Sequence, residues 1–219
     1  MPNTPAPTDT TAPTGTRAAL LDAGLHFFGQ KGFDATSTRE LADLADTNIA
    51  SIAYHFGGKE GLLIACGEEV VRRMQQVIGA PEPVKVTDPE EARAHIDGMV
   101  RAFTRFFSGG HGADDMVSFM LREITTGGPA LDAVYSTMIE PKHKEMCALW
   151  GIATGQDPES DAVKLAVFAF LGQVLYFRIG REIIGRRMAW DMNLDDHTPE
   201  IAEILTKNLH TLLSEGART

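Results

Sequence analysis

Side chains that could do chemistry are sparse in this sequence, and their spacing says more than their number. His143 and Cys147 stand four residues apart, so a helix would carry both on one face as a potential metal pair. No third ligand is evident, and a structural zinc site takes four donors. The sequence holds no HExxH, no nucleotide-binding glycine loop and no G-x-S-x-G turn for a nucleophile. His111 lies in the stretch GGHG, read as a flexible loop, and His26, His95, His197 and His210 stand singly, as surface or packing residues do. The two cysteines, Cys66 and Cys147, make neither a disulfide framework nor a zinc cluster and point to a reducing cytoplasm. The expectation is a cytoplasmic chain without catalysis, cofactor or metal.

Hydrogen bonding to nucleic acid is a better match for residues 37–59. Ser37 followed by Glu40 is a capping box that opens a short helix, with Leu41, Leu44 and Ala45 as its apolar face. Asp46-Thr47-Asn48 forms a tight turn, and Asn48 is suited to cap a third helix from about Ile49 to Phe56. Two short helices joined by a three-residue turn have the geometry of a helix-turn-helix, whose second helix enters the major groove. Between Asn48 and Gly58 there is no acidic side chain to repel phosphate. Ile52 and Phe56, at i and i+4, face inward, which leaves Ala50, Ser51, Tyr54 and His55 to project. Ala50 and Ser51 are small enough for close approach to the groove, and Tyr54 and His55 can hydrogen-bond to phosphate or base edges. Two ordinary bundle helices would show the same spacing, so periodicity alone leaves both readings open.

The residues themselves say more. From Thr16 to Leu62 the chain strongly resembles the DNA-binding head of the TetR family of bacterial transcriptional regulators, through FFGQKGFDATS, RELADLA and IAYHFGGKEGL in that order. The resemblance implies that Ser37, Thr38 and Arg39 start a helix on the DNA backbone. It implies that Asn48, Ala50, Ser51, Tyr54 and His55 belong to the reading surface, and that Lys59 binds phosphate at the start of the fourth helix. The free N–H groups and dipole of a helix start suit an anion there. Two positions depart from the family pattern: Asp46 stands where the turn usually carries glycine, and Ile49 where a polar or basic residue often begins the recognition helix. Further on, LREITTGGPALDAVYSTMIEPKHKEM and FLGQVLYFRIGREIIGRRM resemble the C-terminal domain of the CecR subgroup. That implies a small-molecule-responsive repressor connected with efflux or drug sensitivity.

The elements that position these residues read as all-α, about nine helices: a three-helix head and a C-terminal antiparallel bundle. With 219 residues, 43% hydrophobic and 23% charged, the chain has the composition of a globular protein. Its net charge of -10 argues against coating nucleic acid through bulk charge. Residues 1–16, with four prolines and six threonines, read as a disordered tail. Thr16 then caps the first helix, which Gly32 ends. The domain division is tail 1–16, head 17–62, and a ligand-binding and dimerisation domain 63–219. Within the last, the fourth helix runs from about Lys59 to Ile78, 80–89 is a proline-rich hinge or loop, and helices span 89–108, 114–126, 129–151, 159–188 and 199–214.

Helix 159–188 would be about 45 Å long and is apolar on every face at its centre, so it needs cover on two sides. Together with 199–214 it is expected to form a C2 homodimer interface that pairs two heads on a palindromic operator. The apolar run Ala166–Phe177 is too short for a membrane span, and no membrane association is expected. Met99, Phe103, Phe106, Met116, Phe119 and Met120 recur at helical spacings as candidates for an adaptable, largely apolar effector pocket, with Arg122, Gln173 and Tyr176 to orient the ligand. A stripe of this kind is more often plain core. Arg178, Arg181, Arg186 and Arg187 crowd one helix end, as an anion site or as a solvated end favoured by the dipole. The expected function is a repressor of double-stranded operator DNA released by a small molecule. The alternative is a small-molecule or protein-interaction module whose head no longer reads DNA, which the acidic head and Ile49 would favour.

Overall fold

A computed structural model describes residues 14–108, 111–190 and 194–217, and every regular element in them is helical. The head comprises α1 (Thr16–Lys31), α2 (Thr38–Leu44) and α3 (Ala50–Phe56), and α4 (Lys59–Ile78) connects it to the body. The body continues with α5 (Pro89–Ser108), α6 (His111–Thr126), α7 (Pro129–Val134), α8 (Glu140–Thr154), α9 (Asp161–Ile179), α10 (Arg181–Met188) and α11 (Thr198–Gly216). Of the expected tail, residues 1–13 lie outside the described residues, as do 109 and 110 of the GGHG stretch and Asn193 of the turn before α11.

Local signals explain the boundaries. Ser37 and Glu40 form the reciprocal capping box at α2, and Asn48 Oδ1 accepts the Ser51 N–H at 3.0 Å at the start of α3. Asp88 Oδ1 accepts the N–H groups of Glu90 and Glu91 at 3.0 and 2.9 Å, so the proline-rich linker 79–88 ends on a cap. Thr16 does not cap α1: it lies inside the helix, Gly15 holds the cap position, and no side chain bonds there. Gly32 terminates α1 with φ 85°. His111, Gly112 and Ala113 are already helical, so α6 starts three residues before the expected 114.

Two helices expected to be continuous are interrupted. A π-helical turn, Tyr135–Ile139, joins α7 to α8 just before Pro141. Proline has no N–H to give and its ring crowds the carbonyl four residues back, so the chain widens by one residue per turn there. Gly180 separates α9 from α10, with the Tyr176 ring so close that a Cβ at Gly180 would sit 3.1 Å from its Cζ. These breaks raise the expected nine helices to eleven α-helical segments among the described residues.

One core runs through head and body, from Leu20, Phe28, Leu41 and Ile52 through Leu62, Cys66 and Val70 on α4 to Phe119, Met138, Trp150, Phe170 and Leu209. The helix α9 contributes Val163, Val167, Phe170 and Val174 to it. Its other side bares Leu165, Phe168, Tyr176 and Ile179, and the stripe continues through Ile183 on α10. By length and composition alone α9 is as apolar as a membrane-spanning helix, a property it shares with core helices of bundles. It packs on α5, α8 and α11 as a bundle helix and carries a buried Arg178.

Candidate DNA-binding head and effector cavity

The start of α3 is fixed by a chain of short polar side chains. Thr47 Oγ1 lies 2.9 Å from Ser51 Oγ, and Ser51 Oγ donates to Asn48 Oδ1 at 3.2 Å. The turn before it passes through Asp46 at φ 48°, a left-handed conformation. That accounts for glycine being usual at this place, since aspartate tolerates the conformation better than most side chains. Ile52 anchors α3 in the core and Phe56 is half-buried, while Tyr54 projects with 85% of its surface exposed. Ala50 and Asn48 are exposed as well, and His55 is half-buried with its ring edge on Tyr54, 4.9 Å between centroids.

The few cations of the head have very different freedom. Lys31 pairs with Glu40 at 2.5 Å. Lys59 is turned inward: its ammonium donates to the carbonyls of Phe33 at 2.9 Å and Thr36 at 2.8 Å and lies 4.1 Å from the Phe33 ring centre. It ties the α1–α2 loop to α4. Arg39 is exposed and makes no ion pair among the described residues. Ser37 is exposed but its hydroxyl is engaged with Glu40, and Thr38 is half-buried beside it. Sequence reasoning passed over Arg17, which sits 5.3 Å over the Phe56 ring, close to the end of α3, and has no carboxylate partner among the described residues. Its place at the first turn of α1 is the signal that could have found it.

In the body a cavity of about 340 Å³ opens between α4, α5, α6, α8 and α9. Phe103, Phe106, Met116 and Met120 line it, as the stripe suggested. The other five residues expected there do not. Met99 lies one turn nearer the start of α5, and Phe119 is fully buried on the opposite face of α6, where its backbone meets Gly29 of α1. Arg122 donates to the carbonyls of Gly29 and Gln30 at the end of α1, at 3.2 and 2.9 Å. Gln173 bonds to Asn208 of α11 on the outer surface, and Tyr176 is exposed there. Missed by sequence reasoning were Met74 and Ile78 from α4, Met138 and Met146 from the α7–α8 region, and Phe168 from α9. Met74, Ile78, Met138 and Met146 are buried and Phe168 is half bare, and spacing does not say where a gap is left.

The remaining candidates are explained locally. Arg178 and Arg181 both pair with Asp114 at the start of α6, and Arg186 pairs with Glu182, so these guanidiniums hold carboxylates of the chain itself. His143 Nδ1 lies 3.6 Å from Cys147 Sγ, and no cluster of three metal-binding side chains occurs among the described residues. Burial holds His143 below the ordinary histidine range and raises the Cys147 thiol above its own.

Residues 20–66 match the family described as bacterial regulatory proteins of the tetR family. Residues 92–216, more than half of the chain, match the C-terminal domain of the HTH-type transcriptional dual regulator CecR. The chain belongs to the CecR group of TetR-family transcriptional regulators. Among proteins similar to this CecR-type regulator is the HTH-type transcriptional dual regulator CecR of Shigella flexneri, 29% identical over 208 residues, 89% of each chain. The regulatory protein RaaS of Mycobacterium tuberculosis is 23% identical over 88% of this chain and 85% of its own. The fold is shared with a TetR-like regulator from Rhodococcus sp. RHA1, with TM-score 0.60 and 16% identity over 90% of this chain and 94% of that one. It is also shared with AibR solved with isovaleryl coenzyme A and operator DNA, with TM-score 0.62 and 17% identity over 87% and 96%. The family places the helix-turn-helix of the CecR-type regulator on DNA.

Proposed function

We propose that this CecR-type regulator is a homodimeric repressor that binds a palindromic operator through α3 and is released when an apolar effector enters the body cavity. The observation that carries the reading is the place of α6. Met116 and Met120 on one face line the cavity, while Asp115 and Arg122 on the other hold α1 of the head. Met74 and Ile78 bring the far end of α4 to the same cavity. An effector there touches both helices that reach the head, and it needs a differential affinity of only ~1.4 kcal/mol to change operator binding tenfold. We read residues 17–62 as the DNA-binding unit and 63–219 as the effector and dimer unit, without catalysis.

The homodimer rests on the bare apolar stripe. Leu165 is 67% and Ile183 64% exposed, and Tyr176 of the same stripe lines a groove with Ile204 of α11. A two-fold contact there covers the stripe and sets two heads about one DNA turn apart. Leu165→Asp combined with Ile183→Asp should halve the mass in sedimentation at unchanged helicity; a variant that stays dimeric removes this interface.

The decisive experiment selects bound duplexes from a random DNA library at two salt concentrations, with Tyr54→Ala beside the parent. A palindrome enriched by the parent and lost in the variant supports the reading. No enrichment at low salt overturns it and leaves an interaction module. Equal effector affinity for free and operator-bound protein would remove the release mechanism.

A further inference from the structure

The cavity walls are methionine, phenylalanine and aliphatic side chains except at Lys142 and His143. His143 is not free to read a ligand. Its Nε2–H donates to the Lys164 carbonyl at 3.3 Å, and its Nδ1 accepts the Cys147 thiol at 3.6 Å. Its ring lies on Phe168, 3.9 Å between centroids and 24° from parallel, and forms a flat neutral wall. Lys142 is different: the side chain is 7% exposed, and its ammonium has one partner among the described residues, Glu145 Oε2 at 2.9 Å. Two of its three N–H groups have no partner among the described residues. A buried lysine side chain that lines an apolar cavity and has donors to spare calls for an acceptor, because an unmade bond to a buried charge is expensive.

We propose that the ligand of this cavity is an amphipathic carboxylate: an aliphatic or aryl-alkyl body among the methionines, its carboxylate on the free N–H groups of Lys142. The inference rests on the cavity being the effector site, and names the ligand class. A carboxylate can accept both N–H groups in charge-assisted bonds, which an alcohol cannot, and a cation is repelled. Glu145 meets the ammonium with one oxygen, which leaves donors of Lys142 for a second acceptor. At about 30 Å³ for a water-sized group, a cavity of about 340 Å³ takes roughly ten such groups. The flexible methionines let chains of different shape settle there. Glu145 Oε2 also accepts the Glu82 N–H of the α4–α5 linker at 3.3 Å, so a ligand that draws Lys142 away from Glu145 acts beside the end of α4.

The test titrates the full chain by calorimetry with three ten-carbon probes below their micelle concentrations: decanoate, decanol and decylamine. The parent should bind decanoate at least about tenfold more tightly than decanol, with decylamine weakest. Lys142→Met, similar in volume, should bind decanoate and decanol alike, with decanol affinity close to the parent's; Lys142→Arg should keep the preference. The proposal is overturned if decanol or decylamine matches decanoate in the parent, if the preference survives Lys142→Met, or if none of the three binds. Should Lys142→Met lose its helical signal, the ranking in the parent and in Lys142→Arg decides. Titrating decanoate into the operator complex separates the two levels. Selective binding without DNA release keeps the ligand class and removes the effector reading. Absence of binding by a protein that still selects a palindrome does the reverse.

Discussion

Arg122 donates from Nε to the carbonyl of Gly29 at 3.2 Å, so the helix that walls the body cavity is fastened to the last turn of the first helix of the head. The cation also sits where the carbonyl end of α1 favours positive charge. Gly29 is what lets the two helices approach: a Cβ there would lie 2.9 Å from the Phe119 nitrogen and 3.1 Å from the Asp115 carbonyl oxygen. Backbone cannot yield as a side-chain tip does, so Gly29→Ala should push α1 from α6 at a cost of about 1–3 kcal/mol. Urea unfolding followed by circular dichroism measures it. An unchanged midpoint would show that the α1–α6 seam is slack, and would take away the rigid contact on which release depends.

Asp46 offers the opposite case, a residue under local strain. A non-glycine residue in the left-handed region costs on the order of 1–3 kcal/mol, less for aspartate than for most. Asp46→Gly removes that cost and also one negative charge next to the reading helix. It should leave stability level or raised by up to about 1 kcal/mol and tighten DNA binding, while Asp46→Val should lower stability by about 1–2 kcal/mol. A midpoint for the valine variant equal to the glycine variant's would refute the strain.

Glu40 links the capping box to acid stability. Its carboxyl is held down to about 2, first by the bond from Lys31 and then by the Ser37 N–H and hydroxyl. Because the folded value lies below the unfolded one, the contribution is present above about 4.5 and disappears as pH falls from there toward 2. Glu40→Gln can still cap but cannot pair with Lys31. The difference in melting temperature between parent and variant should therefore be largest near pH 6 and close below pH 4. A constant difference down to pH 2.5 would contradict it.

Where a structural signal is local, the sequence carries it. Ser37 with Glu40, Asn48 before α3 and the proline-rich spacer before α5 mark boundaries because each acts within three or four residues. The π-turn shows a limit: Pro141 is visible, but whether a helix absorbs a proline by bulging or by ending depends on what its neighbours hold in place. The cavity shows a deeper one. Met116, Phe119 and Met120 are all buried, and only tertiary packing sends Phe119 toward α1 and the two methionines toward the gap. Arg122, Gln173 and Tyr176 look alike in sequence as polar residues beside apolar runs. They end at a helix junction and on the outer surface because the rotation of each helix about its axis is set by long-range contacts. The family resemblance supplied what periodicity could not, that the short helices of the head meet DNA.

The state of the cations in the head sets the salt dependence of operator binding. Lys31 is neutralised by Glu40, and Lys59 is committed to two carbonyls, so Arg17 and Arg39 remain as free side-chain cations, two in each head. Neutralising one phosphate contributes a slope of about -0.9 in log affinity against log salt. Four such contacts in a dimer predict a slope near -4, shallow for a protein that grips two half-sites. Arg39→Ala should bring it to about -2 and weaken binding to all sequences alike, whereas Tyr54→Ala should weaken the selected site more than random DNA and leave the slope in place. Fluorescence anisotropy between 50 and 200 mM salt, roughly the range over which counterion release is plain, reads both quantities. A parent slope near -7 would mean that Lys59 and Lys31 leave their partners on DNA, and the head would then rearrange on binding.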